Sequence, residues 1–214
     1  MGILMVRRIL LIGMLLATSL ATQAGEPSSR VSMDPELLSK LRKADAGKGK
    51  EIALTCGACH DAGGAVPNLD GQLATYLFKQ LQDYKDGHRE NAVMSGIAAT
   101  LSEAEMINVS AHYAEKAPQV KSPGKIETPR LVSKGDSRRI LPPCAVCHDA
   151  RGTGQKLDIP ALAAQSEVYL AQTLRDYQNN VRHNDLYGRM RSIAKLMTDQ
   201  EISEIAHYYA NMGR

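Results

Sequence analysis

Two short motifs constrain this chain more than any other feature of its sequence. Residues 56–60 read CGACH and residues 144–148 read CAVCH, both of the form C-x-x-C-H. On a helical turn, cysteines three positions apart lie on one face, where their thiols can form thioether bonds with the two vinyl groups of a haem. The histidine that follows supplies an axial imidazole to the iron. The motifs therefore predict two covalently bound haem c groups, held by Cys56, Cys59, Cys144 and Cys147, with His60 and His148 as iron ligands.

Paired cysteines have two other common uses in proteins. A C-x-x-C pair also occurs in thioredoxin-like redox proteins, and two such pairs can form a four-cysteine zinc site. The first needs a strand before the motif, but Pro142-Pro143 and the polar run at 47–50 give no clear strand. The second leaves unexplained why a histidine follows each pair. Haem attachment uses all four cysteines of the chain, and none remains for a structural disulfide.

The N-terminal residues have the pattern of a secretory signal. Arg7 and Arg8 form a basic region, residues 9–16 form an apolar core, and residues 22–24 offer small side chains at the cleavage positions. The apolar run is shorter than the roughly 20 residues needed to span a bilayer. This favours a cleaved signal peptide over 1–24 rather than a retained anchor, and we expect a periplasmic protein.

Length and charge set limits on the mature chain. About 190 residues remain after cleavage, which suits two small domains. Removing Arg7 and Arg8 lowers the 26 basic side chains to 24, against 23 acidic ones. This near balance lacks the excess of basic side chains that is typical of a nucleic-acid-binding protein. With one Phe and no Trp, apolar material is modest, and we expect each haem to supply much of a core.

The sequence that follows each motif repeats. One set of positions matches at an offset of 93 residues: Pro67 and Pro160, Gln72 and Gln165, Tyr76 and Tyr169, Asp83 and Asp176, Tyr84 and Tyr177, Arg89 and Arg182. A second set matches at an offset of 96: Met94 and Met190, Ser102 and Thr198, Glu105 and Glu201, Tyr113 and Tyr209. Such self-similarity indicates duplication of one module. We expect an N-terminal domain over 25–116, a linker over 117–134 and a C-terminal domain over 135–214.

Each half is predicted to be helical. Residues 73–84 carry apolar side chains at helix-like spacing. Ser102 and Thr198 each precede a glutamate by three positions, which is the capping-box signature. The segment between the halves contains three prolines and little apolar content, which indicates an extended linker. The fold class is therefore predicted to be all-α.

Together these motifs resemble those of the class I cytochromes c, and their tandem arrangement is similar to the dihaem cytochrome c4 family. The pattern runs from C-x-x-C-H through P-x-L, a Tyr-Leu helix, a methionine and L-S-x-x-E to a terminal helix with a tyrosine, and covers about residues 47–209. The resemblance implies two tandem class I cytochrome c domains, each wrapped around one covalently bound haem.

The resemblance also implies a second iron ligand in each half. These ligands would be Met94 and Met190, which lie at the same repeat position in a predicted loop before a capped helix. A thioether favours ferrous iron, and full coordination suits electron transfer rather than catalysis. The remaining repeat-region methionines are interpreted as packing residues: Met106, Met197 and Met212.

Two aligned arginines are further candidates. Arg89 and Arg182 match in the repeat, and a guanidinium pairs well with a carboxylate. We expect them to bind the cofactors by neutralising haem propionates, or to stabilise the domain interface. Four histidines do not align and are interpreted as surface or packing residues, although a switch of ligand to His88 or His183 stays open: His88, His112, His183 and His207.

Prolines have two predicted effects. The resemblance implies that Pro67 and Pro160 brace the proximal histidines by placing a carbonyl near each ring N–H. Pro142-Pro143 requires the helix leading into the second motif to end or bend.

The two halves differ in loop length. The loop after the second motif is five residues longer than its counterpart, and the loop from Arg182 to Met190 is three residues longer than that from Arg89 to Met94. We therefore expect inequivalent haems with unequal potentials.

The resulting hypothesis is a periplasmic dihaem electron carrier, not an enzyme. The predicted partners are redox proteins, with a quinol-oxidising complex or a dehydrogenase as donor and a terminal oxidase or reductase as acceptor; peripheral membrane association is left open. One alternative is a dihaem subunit of a dehydrogenase complex, such as that of flavocytochrome c sulfide dehydrogenase. A haem enzyme with an open iron site is the third candidate.

Overall fold

The computed structural model describes residues 28–61, 64–117, 126–155 and 157–212. Within these ranges the regular structure is helical, with two isolated β-bridges and no extended strand, as the sequence predicts. The helices are α1 (Pro35–Arg42), α2 (Ala46–His60), α3 (Ala74–Lys85), α4 (Ala92–Thr100), α5 (Glu103–Glu115), α6 (Arg130–Ser133), α7 (Cys144–His148), α8 (Glu167–Gln178), α9 (Arg189–Ala194) and α10 (Asp199–Ala210). The predicted signal peptide, residues 1–24, lies outside the described residues.

In the part of the chain that the structure describes, no helix combines the length and the apolar character needed to cross a membrane.

The N-terminal half is built on a close crossing of α2 with α5. At the crossing, a Cβ atom added to Gly49 would lie 2.0 Å from the carbonyl oxygen of Asn108. Glycine is therefore what lets the two backbones approach each other. Helix α3 packs against α4 and α5, and the buried apolar side chains form two clusters. Their members are Leu41, Phe78, Met106 and Ile107, and Ala53, Leu77, Val109 and Tyr113.

The C-terminal half has its own core. Helix α10 packs against α8 and α6, and α9 packs against α8. Leu131 and Val132 of α6 are buried in this core, although they fall within the predicted linker. The last part of that segment is therefore helical and packed, while residues 118–125 lie outside the described residues. The domain boundaries themselves stay a prediction.

The helix starts follow the local sequence signals. Ser102 and Thr198 form capping boxes with Glu105 and Glu201 at the starts of α5 and α10, as predicted. Helix α7 begins at the residue after Pro142-Pro143, which ends any helical path into the second motif. Because proline lacks an N–H and restricts the residue before it, no longer helix can run through this point.

The two methionines at the repeat position are not in loops. Met94 lies in α4, because the side chain of Asn91 caps that helix by accepting a 3.0 Å hydrogen bond from the Met94 amide. Met190 is the second residue of α9, which starts after Gly188 at a φ of 65°. The loop prediction for both is wrong, since each methionine belongs to the first turn of a short helix.

Candidate haem-binding sites

The first C-x-x-C-H motif forms the last turns of α2, so Cys56, Cys59 and His60 share one helix end. The Nδ1 atom of His60 lies 2.8 Å from the carbonyl oxygen of Pro67, which is the predicted contact. A carbonyl oxygen can only accept, so Nδ1 carries the proton and Nε2 keeps its lone pair. That tautomer, with its ring orientation fixed, is the one an iron ligand needs.

The second motif occupies the whole of α7. The Nδ1 atom of His148 donates to the carbonyl oxygen of Pro160 at 2.9 Å, again leaving Nε2 with its lone pair. Burial lowers the pKa of His148, although the Pro160 carbonyl opposes this, so the neutral imidazole is favoured. A neutral imidazole is the form that binds a metal ion.

Two of the four thiols, those of Cys56 and Cys144, lie in surroundings that disfavour a thiolate. Burial raises the pKa of Cys144 to about 11 and also raises the pKa of Cys56. A structural zinc ion is bound by thiolates, whereas thioether formation consumes the thiol. Among the described residues, no group of three or more His, Cys, Asp or Glu side chains could hold a metal ion. This geometry fits two separate haem attachments better than one four-cysteine zinc site.

The contact surface between the halves, the seam, is formed by Arg89, Arg182, Gln72, Gln165 and the groups they bind. Its two arginines each reach a tyrosine of the opposite half. Arg89 donates to the hydroxyl of Tyr169 at 3.1 Å, and Arg182 donates to the hydroxyl of Tyr76 at 3.0 Å. The four residues form two equivalent pairs in the repeat, so each half reaches the matching tyrosine of the other. Such reciprocal contact is what a two-fold arrangement of like modules produces. The structure therefore places both arginines at the interface, which is one of their two predicted roles.

The same arginines leave positive charge without a carboxylate. Arg182 is 6% exposed and Arg89 is half-buried, and among the described residues no carboxylate forms an ion pair with either. Burial raises the pKa of Tyr169, but the charges of Arg89 and Arg182 and the hydrogen bond from Arg89 outweigh it and bring that pKa down to about 7. A buried excess of positive charge calls for an anion. The propionates of two haems fit this requirement, so the residues present suit the cofactor on both its tethered and its charged sides.

The structure leaves part of the predicted site as a prediction. Met94 and Met190 are half-buried at equivalent positions near the starts of α4 and α9, and their role as iron ligands stays a prediction. The propionate role of the arginines also stays a prediction. The three other repeat-region methionines do pack in the cores, as interpreted: Met106, Met197 and Met212.

A pair of glutamines joins the two halves, a role that was not predicted from the sequence. Gln72 exchanges two hydrogen bonds with the backbone of Ala161, at 3.0 and 2.9 Å. Gln165 does the same with the backbone of Asn68, at 2.7 and 2.8 Å. Both glutamines were visible in the repeat. A polar residue kept at one position of both modules was the signal that could have found them.

Each of the two helical halves carries a thiol pair and an oriented imidazole on one helix. This arrangement defines a tandem dihaem cytochrome c. The cytochrome c family model matches residues 140–212. The thiosulfate dehydrogenase electron acceptor of Stutzerimonas stutzeri (strain A1501) is 34% identical over 203 residues, covering 89% of this chain and 94% of that protein. Cytochrome c4 of Thiocapsa roseopersicina is 36% identical over 183 residues, covering 79% of this chain and 92% of that protein.

A solved structure agrees with these relatives. The reduced recombinant cytochrome c4 from Pseudomonas stutzeri superposes with a TM-score of 0.73 at 28% identity, covering 79% of this chain and all of that one. The chain belongs to the cytochrome c4 family of dihaem class I cytochromes c. It is accordingly an electron-transfer protein with two covalently bound haem c groups rather than an enzyme.

Proposed function

We propose that the protein is a periplasmic electron carrier that accepts electrons from a thiosulfate dehydrogenase and delivers them to a terminal oxidase or reductase. The observation that carries the proposal is the reciprocal seam between two equivalent redox halves, formed by Gln72, Gln165, Arg89 and Arg182. A seam of this kind keeps two one-electron sites together in one molecule. The name of the Stutzerimonas relative supports the choice of donor.

The chain's own residues have defined tasks in this function. Each haem, when bound, supplies a one-electron ferric/ferrous couple. Cys56 and Cys59 would tether one haem, and Cys144 and Cys147 the other, while the histidines beside them supply an oriented nitrogen. Arg89 and Arg182 would neutralise carboxylates at the seam and so favour the reduced state. Met94 and Met190 would complete the iron coordination and exclude small molecules.

A kinetic experiment tests the donor. The mature dihaem protein is mixed with a thiosulfate dehydrogenase in a stopped-flow instrument, and ferrous haem is followed after thiosulfate is added. We expect saturable reduction that ends at two electrons per chain. Omitting thiosulfate is the control for direct reduction by the dehydrogenase. Reduction that stays far slower than dehydrogenase turnover would rule out this donor.

One observation favours the second candidate, a permanent subunit of a dehydrogenase complex. Tyr187 is 91% exposed and Ile140 is 86% exposed, and both have a positive φ near 60°. Large side chains that are exposed and held in the left-handed region cost free energy and occur at sites that a partner covers. Size-exclusion chromatography of the natively expressed protein separates the two cases. A free carrier elutes at the mass of one chain, whereas a subunit co-elutes with a flavoprotein.

A further inference from the structure

The seam between the halves is asymmetric at one place. Lys79 and Asp83 of α3 form an ion pair with Nζ 2.5 Å from Oδ2, and their side chains are 2% and 0% exposed. The equivalent residues in α8 are Gln172 and Asp176, which hydrogen-bond each other at an exposed position. The two modules therefore use the same pair of positions in opposite ways.

The buried pair is covered by a loop of the other half. Asn184 lies in the loop between Arg182 and Met190, which is three residues longer than its counterpart. Its side-chain amide donates to Asp83 at 2.6 Å, and its backbone carbonyl accepts from Lys79 at 2.7 Å. Asn184 is 1% exposed, and its own Oδ1 accepts from Arg182. The longer loop of the second half thus binds to α3 of the first through Asn184.

A third segment meets the same carboxylate. The hydroxyl of Ser29 donates to Asp83 Oδ1 at 2.6 Å, and the hydroxyl of Ser28 donates to the backbone carbonyl of Asp185 at 2.8 Å. Asp83 therefore accepts from the N-terminal segment, from its own helix and from the loop of the second half. A carboxylate with this many donors is satisfied only when all three segments are in place.

The energetics favour an orienting role over a stabilising one. Burial lowers the pKa of Lys79, although Asp83 opposes this, so desolvation offsets much of the attraction. Buried ion pairs add little net stability in general, but a rotated interface would leave their charges unpaired and buried. Such groups select one arrangement among those that apolar contact alone would allow.

We propose that Lys79, Asp83 and Asn184 form an orientation lock that fixes the two halves relative to each other for electron equilibration within the molecule. The proposal rests on the electron-carrier function, and these are positioning residues that act through the seam. The lock is formed on one side only of an otherwise two-fold interface, since the equivalent pair in the other half, Gln172 and Asp176, is exposed.

Amide exchange reads the seam without using the haems' redox activity. The backbone N–H groups of Asn68 and Ala161 are each covered by a glutamine of the opposite half, so their exchange reports opening of the seam. The amides of Met106 and Ile202, buried in the two separate cores, report each half's own integrity. The second readout is the rate of electron equilibration within the holoprotein after partial flash reduction.

Two variants test the lock. Asn184→Ala removes the side-chain contact of the loop and keeps the Lys79–Asp83 ion pair. Lys79→Gln removes the ion pair by introducing the side chain that the other half has at the equivalent position, Gln172. Gln172→Ala at the exposed equivalent position is the matched control. We expect exchange at Asn68 and Ala161 to accelerate about ten-fold or more in both variants, with Met106 and Ile202 unchanged. Electron equilibration should slow several-fold, and the control should match the unmodified protein in both readouts.

Three outcomes overturn the proposal. Unchanged exchange at Asn68 and Ala161 would show that Lys79, Asp83 and Asn184 do not hold the seam closed. Equal acceleration at the core amides of Met106 and Ile202 would show that the three residues only stabilise the fold as a whole. Faster amide exchange at the seam together with an unchanged rate of electron equilibration would show that the three residues do not position the halves for electron transfer. Since neither readout uses a protein donor, failure of the thiosulfate dehydrogenase assay leaves the test of the lock intact.

Discussion

Arg89 and Arg182 converge on a single acceptor, the Oε1 atom of Gln80, at 2.8 and 2.9 Å. Two guanidinium groups from different halves thus lie side by side at the seam, and no described carboxylate pairs with either. Like charges repel strongly in such a setting unless an anion lies between or beside them. This uncompensated charge supports the prediction that the haem propionates lie beside Arg89 and Arg182.

The first prediction concerns this charge. Arg89→Gln and Arg182→Gln should each lower the reduction potential of the holoprotein by tens of millivolts, because removing positive charge disfavours the electron-rich state. Spectroelectrochemical titration measures the change. Arg151→Gln, at a side chain that is 80% exposed, is the control and should leave the potentials in place. If neither Arg89→Gln nor Arg182→Gln changes the reduction potentials, the two arginines do not neutralise the haem propionates.

The glutamine pair gives a prediction with crossed specificity. Gln72→Ala removes two bonds to Ala161, and Gln165→Ala removes two bonds to Asn68, so each should destabilise the protein by about 1–3 kcal/mol. Hydrogen exchange should rise at the Ala161 amide in the first variant and at the Asn68 amide in the second. Gln82→Ala, which removes only an exposed hydrogen bond to Asp86 at the end of α3, is the control. Exchange that rises equally at both amides in each variant would contradict independent contacts.

The methionines can be tested by spectroscopy. A ferric haem with a methionine ligand shows a weak near-infrared charge-transfer band, and we expect the holoprotein to show two haems' worth of it. Met94→Ala and Met190→Ala should each remove about half of the band. Met106→Leu, at a 1% exposed methionine of the core, should keep all of it. A band of half strength in the unmodified protein would mean that one iron has another ligand.

The crossing of α2 and α5 predicts opposite effects for two glycines. Gly49→Ala should destabilise the protein by about 1–3 kcal/mol, because the new Cβ meets the backbone of Asn108 rather than a movable side chain. Gly96→Ala in α4 should be neutral or stabilise by up to about 1 kcal/mol, since apart from its chain neighbours and the backbone of its own helix no described atom lies within 4 Å of the added Cβ. Guanidinium denaturation of the holoproteins measures both. Similar midpoints for the two variants would refute the close crossing.

Acid stability should depend on Glu201. The hydrogen bonds from Arg139 hold the pKa of Glu201 below its usual value, with burial opposing the shift. A carboxyl with a lowered folded-state pKa contributes stability above its unfolded-state pKa and loses it as the pH falls through the folded-state value. Glu201→Gln should therefore lower the melting temperature by about 3 °C at pH 7, and the difference should vanish in acid.

A matched position provides the control for this pH dependence. Glu105 forms the same capping box in the N-terminal half, and the hydrogen bond from Ser102 lowers its pKa. It has no arginine partner among the described residues, so Glu105→Gln should change the pH profile less. A larger effect at Glu105 than at Glu201 would show that the cap, not Arg139, dominates.

Local signals in the sequence determined much of this protein. The C-x-x-C-H turns and the caps at Ser102 and Thr198 depend on hydrogen bonds and side-chain spacing over three or four residues, and a sequence displays these directly. The repeat likewise showed that two like modules are present. These features needed no knowledge of how distant segments meet.

Only the tertiary structure decided how the modules face each other. Asp83 and Asp176 occupy equivalent positions, yet one is buried under Asn184 and Ser29 while the other stays near solvent. The difference comes from a longer loop 101 residues away from Asp83, and no local pattern encodes such a contact. Desolvation depends on everything that surrounds a group. For that reason the sequence showed that Asp83 is repeated at position 176, but only the tertiary structure showed that Asp83 lies at the interface between the halves.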